Sequence, residues 1–165
     1  MLRIERITAS QGLLLKELRC RALDDAPYAF SGTLEEAKKR SEESWSAWAE
    51  NCSNNPKATI FIAYYDGKPC GMMGCRLAGE KDEVAELLAV WVAPEHRGLK
   101  VGQGLLEAVK RWASESRAQI LHIWVAEQNA TAISFYKAAG GEVTDQRQPF
   151  KSDATQEEIL LILQF

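Results

Sequence analysis

Long apolar runs are missing from this chain of 165 residues: none approaches the ~20 residues that a membrane-spanning helix needs. A basic surplus is missing as well. Lys and Arg number 20 against 23 Asp and Glu, a formal charge of −3. Phosphate-rich surfaces are held by excess cations, so neither nucleic acid nor an anionic membrane is an expected partner. Histidine is scarce, with only His96 and His122, and the cysteines at 20, 52, 70 and 75 show no two-residue gap of the zinc or thioredoxin kind. No metal is expected, and the thiols should be reduced and packed as small hydrophobes. The opening Met1-Leu2-Arg3-Ile4-Glu5-Arg6 carries charge where a signal peptide has an apolar centre, so the expected location is cytoplasmic. No repeat, low-complexity tract or Pro/Gly/Ser linker divides the chain.

What remains is ordinary globular composition, 46% apolar and 26% charged. The length suits one domain over 1–165 with a core of its own. Residues 2–8 alternate as a strand, and 11–24 carry Leu14, Leu15, Leu18 and Ala22 at helical spacing. Thr33 with Glu36 is a capping-box pattern, and one helical stretch is expected to run from there past Trp45, Trp48 and Ala49. Strands are predicted at 59–65 and 70–75 around an Asp66-Gly67 turn. Val84 to Val92 is nearly unbroken apolar sequence, the pattern of a strand buried on both faces. A helical stripe of Leu105, Leu106, Val109, Trp112 and Ala113 follows, then a strand at 120–126 and a helix from Asn129 to Gly140. A short strand near Val143 and a last one at 159–163 complete a mixed α/β order.

The stretch Val92-Ala93-Pro94-Glu95-His96-Arg97-Gly98-Leu99-Lys100-Val101-Gly102-Gln103-Gly104 takes a buried strand through a basic, glycine-bearing turn into a helix. Free amides and the positive end of such a helix receive anions. It is not a Walker loop, because Gln103 follows Gly102, nor a dinucleotide loop, because Glu107 stands where the third glycine belongs. The segment Arg97-Gly98-Leu99-Lys100-Val101-Gly102 resembles the Gln/Arg-x-x-Gly-x-Gly/Ala signature of the GNAT superfamily of acyl-CoA-dependent N-acetyltransferases, with Lys100 in place of the first glycine. Lysine can still offer its backbone amide there if φ is negative. Asn129-Ala130-Thr131-Ala132-Ile133-Ser134-Phe135-Tyr136-Lys137-Ala138-Ala139-Gly140 is similar to the family's Asn-x-x-Ala-x-x-Phe-Tyr-x-x-x-Gly segment, with Gly141 where an aromatic is common.

The resemblance implies a mostly antiparallel twisted sheet of six or seven strands, flanked by about four helices and split between the fourth and fifth strands. It implies acetyl-CoA as co-substrate, contacted by Val90, Trp91, Val92, Arg97, Gly98, Leu99, Lys100, Val101, Gly102, Gln103 and Asn129. Backbone groups of Val90 and Val92 would pair with the pantetheine arm, and the Val90 amide would face the thioester carbonyl. Those valines can equally fill core, and Asn129 can simply cap its helix. The implied reaction is direct acetyl transfer to a primary amine of a small molecule or peptide. An alkylamine is neutral only about once in 10³ molecules at pH 7, a deficit of roughly 4–5 kcal/mol that a base or a desolvating pocket must offset. Glu86 interrupts an apolar strand eleven residues before Arg97 and is the candidate base, or else a structural carboxylate with a partner. Tyr136 is the implied acid for the departing thiolate, or else a core aromatic.

The acceptor is implied to lie between Asp24-Asp25-Ala26-Pro27-Tyr28-Ala29-Phe30-Ser31-Gly32-Thr33 and Arg147-Gln148-Pro149-Phe150-Lys151-Ser152-Asp153. Asp25, Tyr28 and Phe30 are its candidate contacts, suited to a cationic amine with an apolar body. His96 reads as exposed, and Trp45, Trp48 and Trp112 read as core or subunit contact rather than a stacking platform. A homodimer is a partner state the family often adopts. The competing reading is a catalytically silent acyl-CoA-binding sensor or interaction module that keeps the turn and needs neither Glu86 nor Tyr136.

Overall fold

Period-two and period-3.6 patterns sort the chain into seven strands and five α-helices in the computed structural model, which describes residues 1–30, 32–150 and 153–165. Strand β1 (Leu2–Arg6) leads into α1 (Gly12–Asp25), where Leu15, Leu18 and Ala22 turn inward. Helix α2 (Leu34–Lys39) starts at Thr33, whose hydroxyl accepts the Glu36 amide, as the capping pattern requires. The single helix expected here is two. Ser41 supplies a second N-cap by accepting the Ser44 amide, and α3 (Glu42–Asn54) begins with Glu42 and Glu43 at its positive end.

Strands β2 (Ala58–Tyr65) and β3 (Lys68–Ala78) form a hairpin whose turn residues, Asp66 and Gly67, both have positive φ, 49° and 80°. After β4 (Val84–Val92) come α4 (Val101–Glu115), β5 (Ile120–Ala126), α5 (Ala130–Ala138), β6 (Glu142–Phe150) and β7 (Asp153–Gln164). The strands make one sheet in the order β1-β2-β3-β4-β5-β7-β6, antiparallel except between β4 and β5. Helix α4 lies on the face bearing Ile4, Ala63 and Gly71: a Cβ on Gly104 would meet Leu2 and Ile4, and one on Gly71 would meet Val101 and Leu105. The α1–α3 pair covers the other face, where Ile60, Ile62 and Met72 are fully buried beside Leu15, Leu18 and Trp45.

Strand β6 is nine residues long where sequence suggested a short one, and β7 extends well before residue 159. Glu-Val-Thr-Asp-Gln-Arg-Gln-Pro-Phe lies at the sheet edge and is mostly exposed, so no apolar alternation marks it. All four cysteines are free, with Cys52, Cys70 and Cys75 buried; burial pushes the Cys75 thiol up to about 12. Among the described residues, no helix is long and apolar enough to cross a membrane.

Candidate active site

Strand β4 leaves its ladder midway. Gly74 of β3 faces Leu88 and Met72 faces Trp91, so Ala89 and Val90 together span the place opposite Met73. This is a β-bulge, with Ala89 in the left-handed region at φ 52°. On its other edge β4 pairs with β5 only at Val84, Ala85 and Glu86, opposite Ile120, Leu121 and His122. From Leu87 to Val92 that edge has no neighbouring strand among the described residues. An open strand edge inside a fold is a template for an extended ligand that carries amides.

The open edge runs into the basic turn. Pro94–His96 form a 3₁₀ turn, Gly98 has φ 78°, and Lys100, the N-cap of α4, has φ 64° and ψ 18°. Lys100 therefore adopts the left-handed conformation natural to glycine, rather than the negative φ expected of lysine. No side chain caps α4, so its leading amides and the positive end of its dipole face the turn.

A carboxylate from another element fastens this turn. Asp25, at the end of α1, accepts from the Arg97 guanidinium at 2.5 Å and from the Trp91 indole at 3.0 Å through the same Oδ2. Arg97 Nε also donates to the Val92 carbonyl at 3.1 Å. Burial alone would raise the Asp25 pKa, but the hydrogen bonds from Trp91 and Arg97 and the Arg97 charge outweigh it and hold it below the usual carboxylate range. Asp25 was expected to contact substrate; its carboxylate is instead committed to the turn.

Two cavities meet where β4 and β5 part. The first, about 550 Å³, is lined by Val90, Trp91, Val92, Arg97, Gly98, Lys100, Val101, Gly102, Gln103 and Asn129, with Tyr28 and Phe30. The second, about 370 Å³, is framed by α1, α3, β5 and β7 and lined by Arg19, Trp48, Arg76, Trp124, Phe150 and Glu158, among others. Phe30, Val90, Asn129, Ala132 and Tyr136 belong to both walls. Asn129 caps α5, accepting the Ala132 amide at 3.2 Å. Tyr136 is buried, its ring edge-on to Phe135, and burial pushes its phenol well above the ordinary tyrosine range.

Several expected residues lie elsewhere. Leu99 is exposed and lines neither cavity. Glu86 lines neither one; Arg76 donates to its Oε2 from Nε and Nη2 at 3.0 and 2.8 Å. The strand carboxylate thus has a partner, because Arg76 is its cross-strand neighbour in the β3–β4 register. His96, expected to be exposed, is half-buried in the first cavity's wall, tilted against Tyr65, with no hydrogen bond to Nδ1 among the described residues and Glu95 Oε1 3.9 Å from it. Trp45 and Trp112 are buried in the core and Trp48 packs against it, as expected; Trp48 also stacks on Trp45 and lies beneath two guanidinium groups. Sequence reasoning missed Arg19 and Glu158, which no local motif marks. Ser31, Lys151 and Ser152, within the two expected acceptor segments, lie outside the described residues. No group of three or more His, Cys, Asp or Glu is placed to hold a metal among those described.

The model of the acetyltransferase (GNAT) family matches residues 19–140. An uncharacterized N-acetyltransferase of Methanocaldococcus jannaschii is 34% identical over 87 residues, 50% of this chain and 38% of that protein. A mycothiol acetyltransferase of Thermobispora bispora is 29% identical over 74% of this chain and 40% of its own length. The match thus spans about two fifths of these two relatives. The fold is that of an acetyltransferase of the GNAT family from Streptococcus pneumoniae (TM-score 0.82, 16% identity, 100% of this chain and 99% of that one). It is also that of the yncA protein of Salmonella typhimurium, solved with acetyl-CoA (TM-score 0.78, 18% identity, 99% and 94%).

Proposed function

Because the chain belongs to the acetyltransferase (GNAT) family, we propose that it moves an acetyl group from acetyl-CoA to a primary amine by direct attack, with no covalent enzyme intermediate. The observation that carries this reading is the open β4 edge at the Ala89–Val90 bulge, which continues into the uncapped end of α4 within one cavity of about 550 Å³. An extended amide-bearing arm ending in phosphates fits that sequence of features, and the Salmonella relative's acetyl-CoA supports the choice. Bound acetyl-CoA supplies a thioester, activated for attack by an amine.

The chain's residues divide the work. The leading amides of α4, with Gly98 and Lys100, hold the diphosphate. The Val90 backbone, freed from the ladder by the bulge, orients the acetyl group and offers its amide to the oxygen that gains charge. Tyr136 stands in the wall common to both cavities with its phenol protonated at neutral pH, as an ordinary tyrosine already is, and we assign it the proton given to the departing sulfur; burial raises its pKa and so limits it to assisting a thiolate that leaves readily. Glu158 is the carboxylate in the second cavity's wall, and we assign it the proton of the incoming ammonium. Glu86, the candidate base in the sequence, accepts from Arg76, which lines that wall, and we give it the positioning of Arg76 rather than the proton. Calorimetric titration with coenzyme A, followed by thiol release from acetyl-CoA across an amine panel, tests the reading. Tight binding with release for at least one amine is expected; no affinity for coenzyme A ends it, and binding without release for any amine reduces the protein to a sensor.

A further inference from the structure

Arg19 stands in the wall of the 370 Å³ cavity, half-buried, its guanidinium 4.8 Å from the Phe30 ring centre and 6.0 Å from that of Trp48. Arg40 lies 5.0 Å over the same Trp48 and 4.4 Å over Trp45, and its nitrogens donate to the Ser44 hydroxyl at 3.0 and 2.8 Å. Arg3, Arg21, Arg76, Arg97 and Arg147 each pair with a carboxylate. Among the described residues, neither Arg19 nor Arg40 does. Burial and then the Arg40 charge lower the Arg19 pKa. Two like charges on one aromatic, one of them half-buried, form an arrangement that an anion completes.

A guanidinium held against rings with no carboxylate of its own keeps N–H groups for an incoming carboxylate, which it can grip at two points. Glu158 lines the same cavity and supplies negative charge, while Trp124 and Phe150 supply apolar wall. Resting on the acetyl-transfer reading above, we propose that the acceptor is an amine that also bears a carboxylate, of the amino-acid class, with Arg19 binding its carboxylate. It adds a carboxylate to the sequence expectation of a cationic amine with an apolar body contacted by Asp25, Tyr28 and Phe30.

Titration calorimetry on the protein saturated with coenzyme A tests it, using each L-amino acid, its amide and its decarboxylated amine. At least one amino acid should bind tenfold or more tighter than its amide and its amine, and Arg19→Gln should abolish that preference without changing coenzyme A affinity. Equal binding of the three forms, no binding of any carboxylate form, or a preference that survives in Arg19→Gln overturns the proposal. Should Arg19→Gln fail to fold, the three-way comparison on the unmodified protein decides alone. Thiol release on the same panel separates the two readings. Carboxylate-dependent binding without release leaves the anion site and removes the transferase; equal release with the amides and decarboxylated amines does the reverse.

Discussion

Asp25 and Arg97 are 72 positions apart in sequence, yet one carboxylate oxygen of the first accepts directly from the guanidinium of the second. The end of α1 thereby fixes the turn between β4 and α4. Arg97 exposes about half of its side chain, so solvent screens the pair; its value lies in geometry, since the same oxygen also accepts from Trp91.

Asp25→Asn should weaken coenzyme A binding several-fold, measured by titration calorimetry, with a smaller loss of Tm. The pH dependence follows from the depressed pKa. A carboxyl whose folded pKa lies below its unfolded value of about 3.9 contributes stability above that pH and loses it as acid protonates the folded form. The Tm difference between the unmodified protein and Asp25→Asn should therefore be full near neutral pH and shrink below about pH 4. A difference that persists in acid contradicts the ionic role.

Lys100 holds φ 64° at the N-cap of α4, a conformation that costs a non-glycine residue about 1–2 kcal/mol. Lys100→Gly relieves that strain while loosening the unfolded chain, for a net gain of about 1 kcal/mol, or roughly 2–4 °C in Tm. Thermal unfolding by circular dichroism checks it; a lower Tm would mean that the lysine side chain stabilises the turn by more than its backbone strains it.

Tyr136→Phe removes the phenolic proton while keeping the ring that packs on Phe135. Loss of a general acid commonly lowers turnover by 10²–10⁴, and a thiolate is a good leaving group, so about 10² is expected, with KM for acetyl-CoA nearly unchanged. Steady-state kinetics decide, and unchanged kcat takes Tyr136 out of the chemistry.

Glu158→Gln should lower kcat/KM by about 10² near neutral pH, with the deficit narrowing as alkaline pH neutralises the free amine. Glu86→Gln should cost far less, because its carboxylate meets Arg76 rather than the cavity. A larger, pH-dependent loss in Glu86→Gln than in Glu158→Gln would restore Glu86 as the base.

The turn was legible because its requirements are local. A strand ending at Pro94, a left-handed Gly98 and an apolar stripe from Val101 onward are written within a dozen consecutive residues. The division of the sheet was implied by the family resemblance rather than by the residues themselves. The bulge was not legible: Ala89 takes φ 52°, and nothing in alanine announces it. The break at Ser41 was written in Ser41-Glu42-Glu43-Ser44 but was hidden by the continuous helical pattern around it. The second cavity was beyond reach for another reason. Arg19, Arg76, Trp124 and Glu158 come from four elements spread across most of the chain, and each alone is an ordinary charged or aromatic residue. Only tertiary packing makes them neighbours.

On the proposed transfer, the residues that line both cavities, Phe30, Val90, Asn129 and Tyr136 among them, have a kinetic corollary. Donor and recipient would then each occupy a separate vestibule and touch only at that shared wall. Neither then has to back out past the other, so the spent carrier and the modified product can depart independently. A bulky recipient can also leave most of its body in solvent while presenting one nitrogen at the opening.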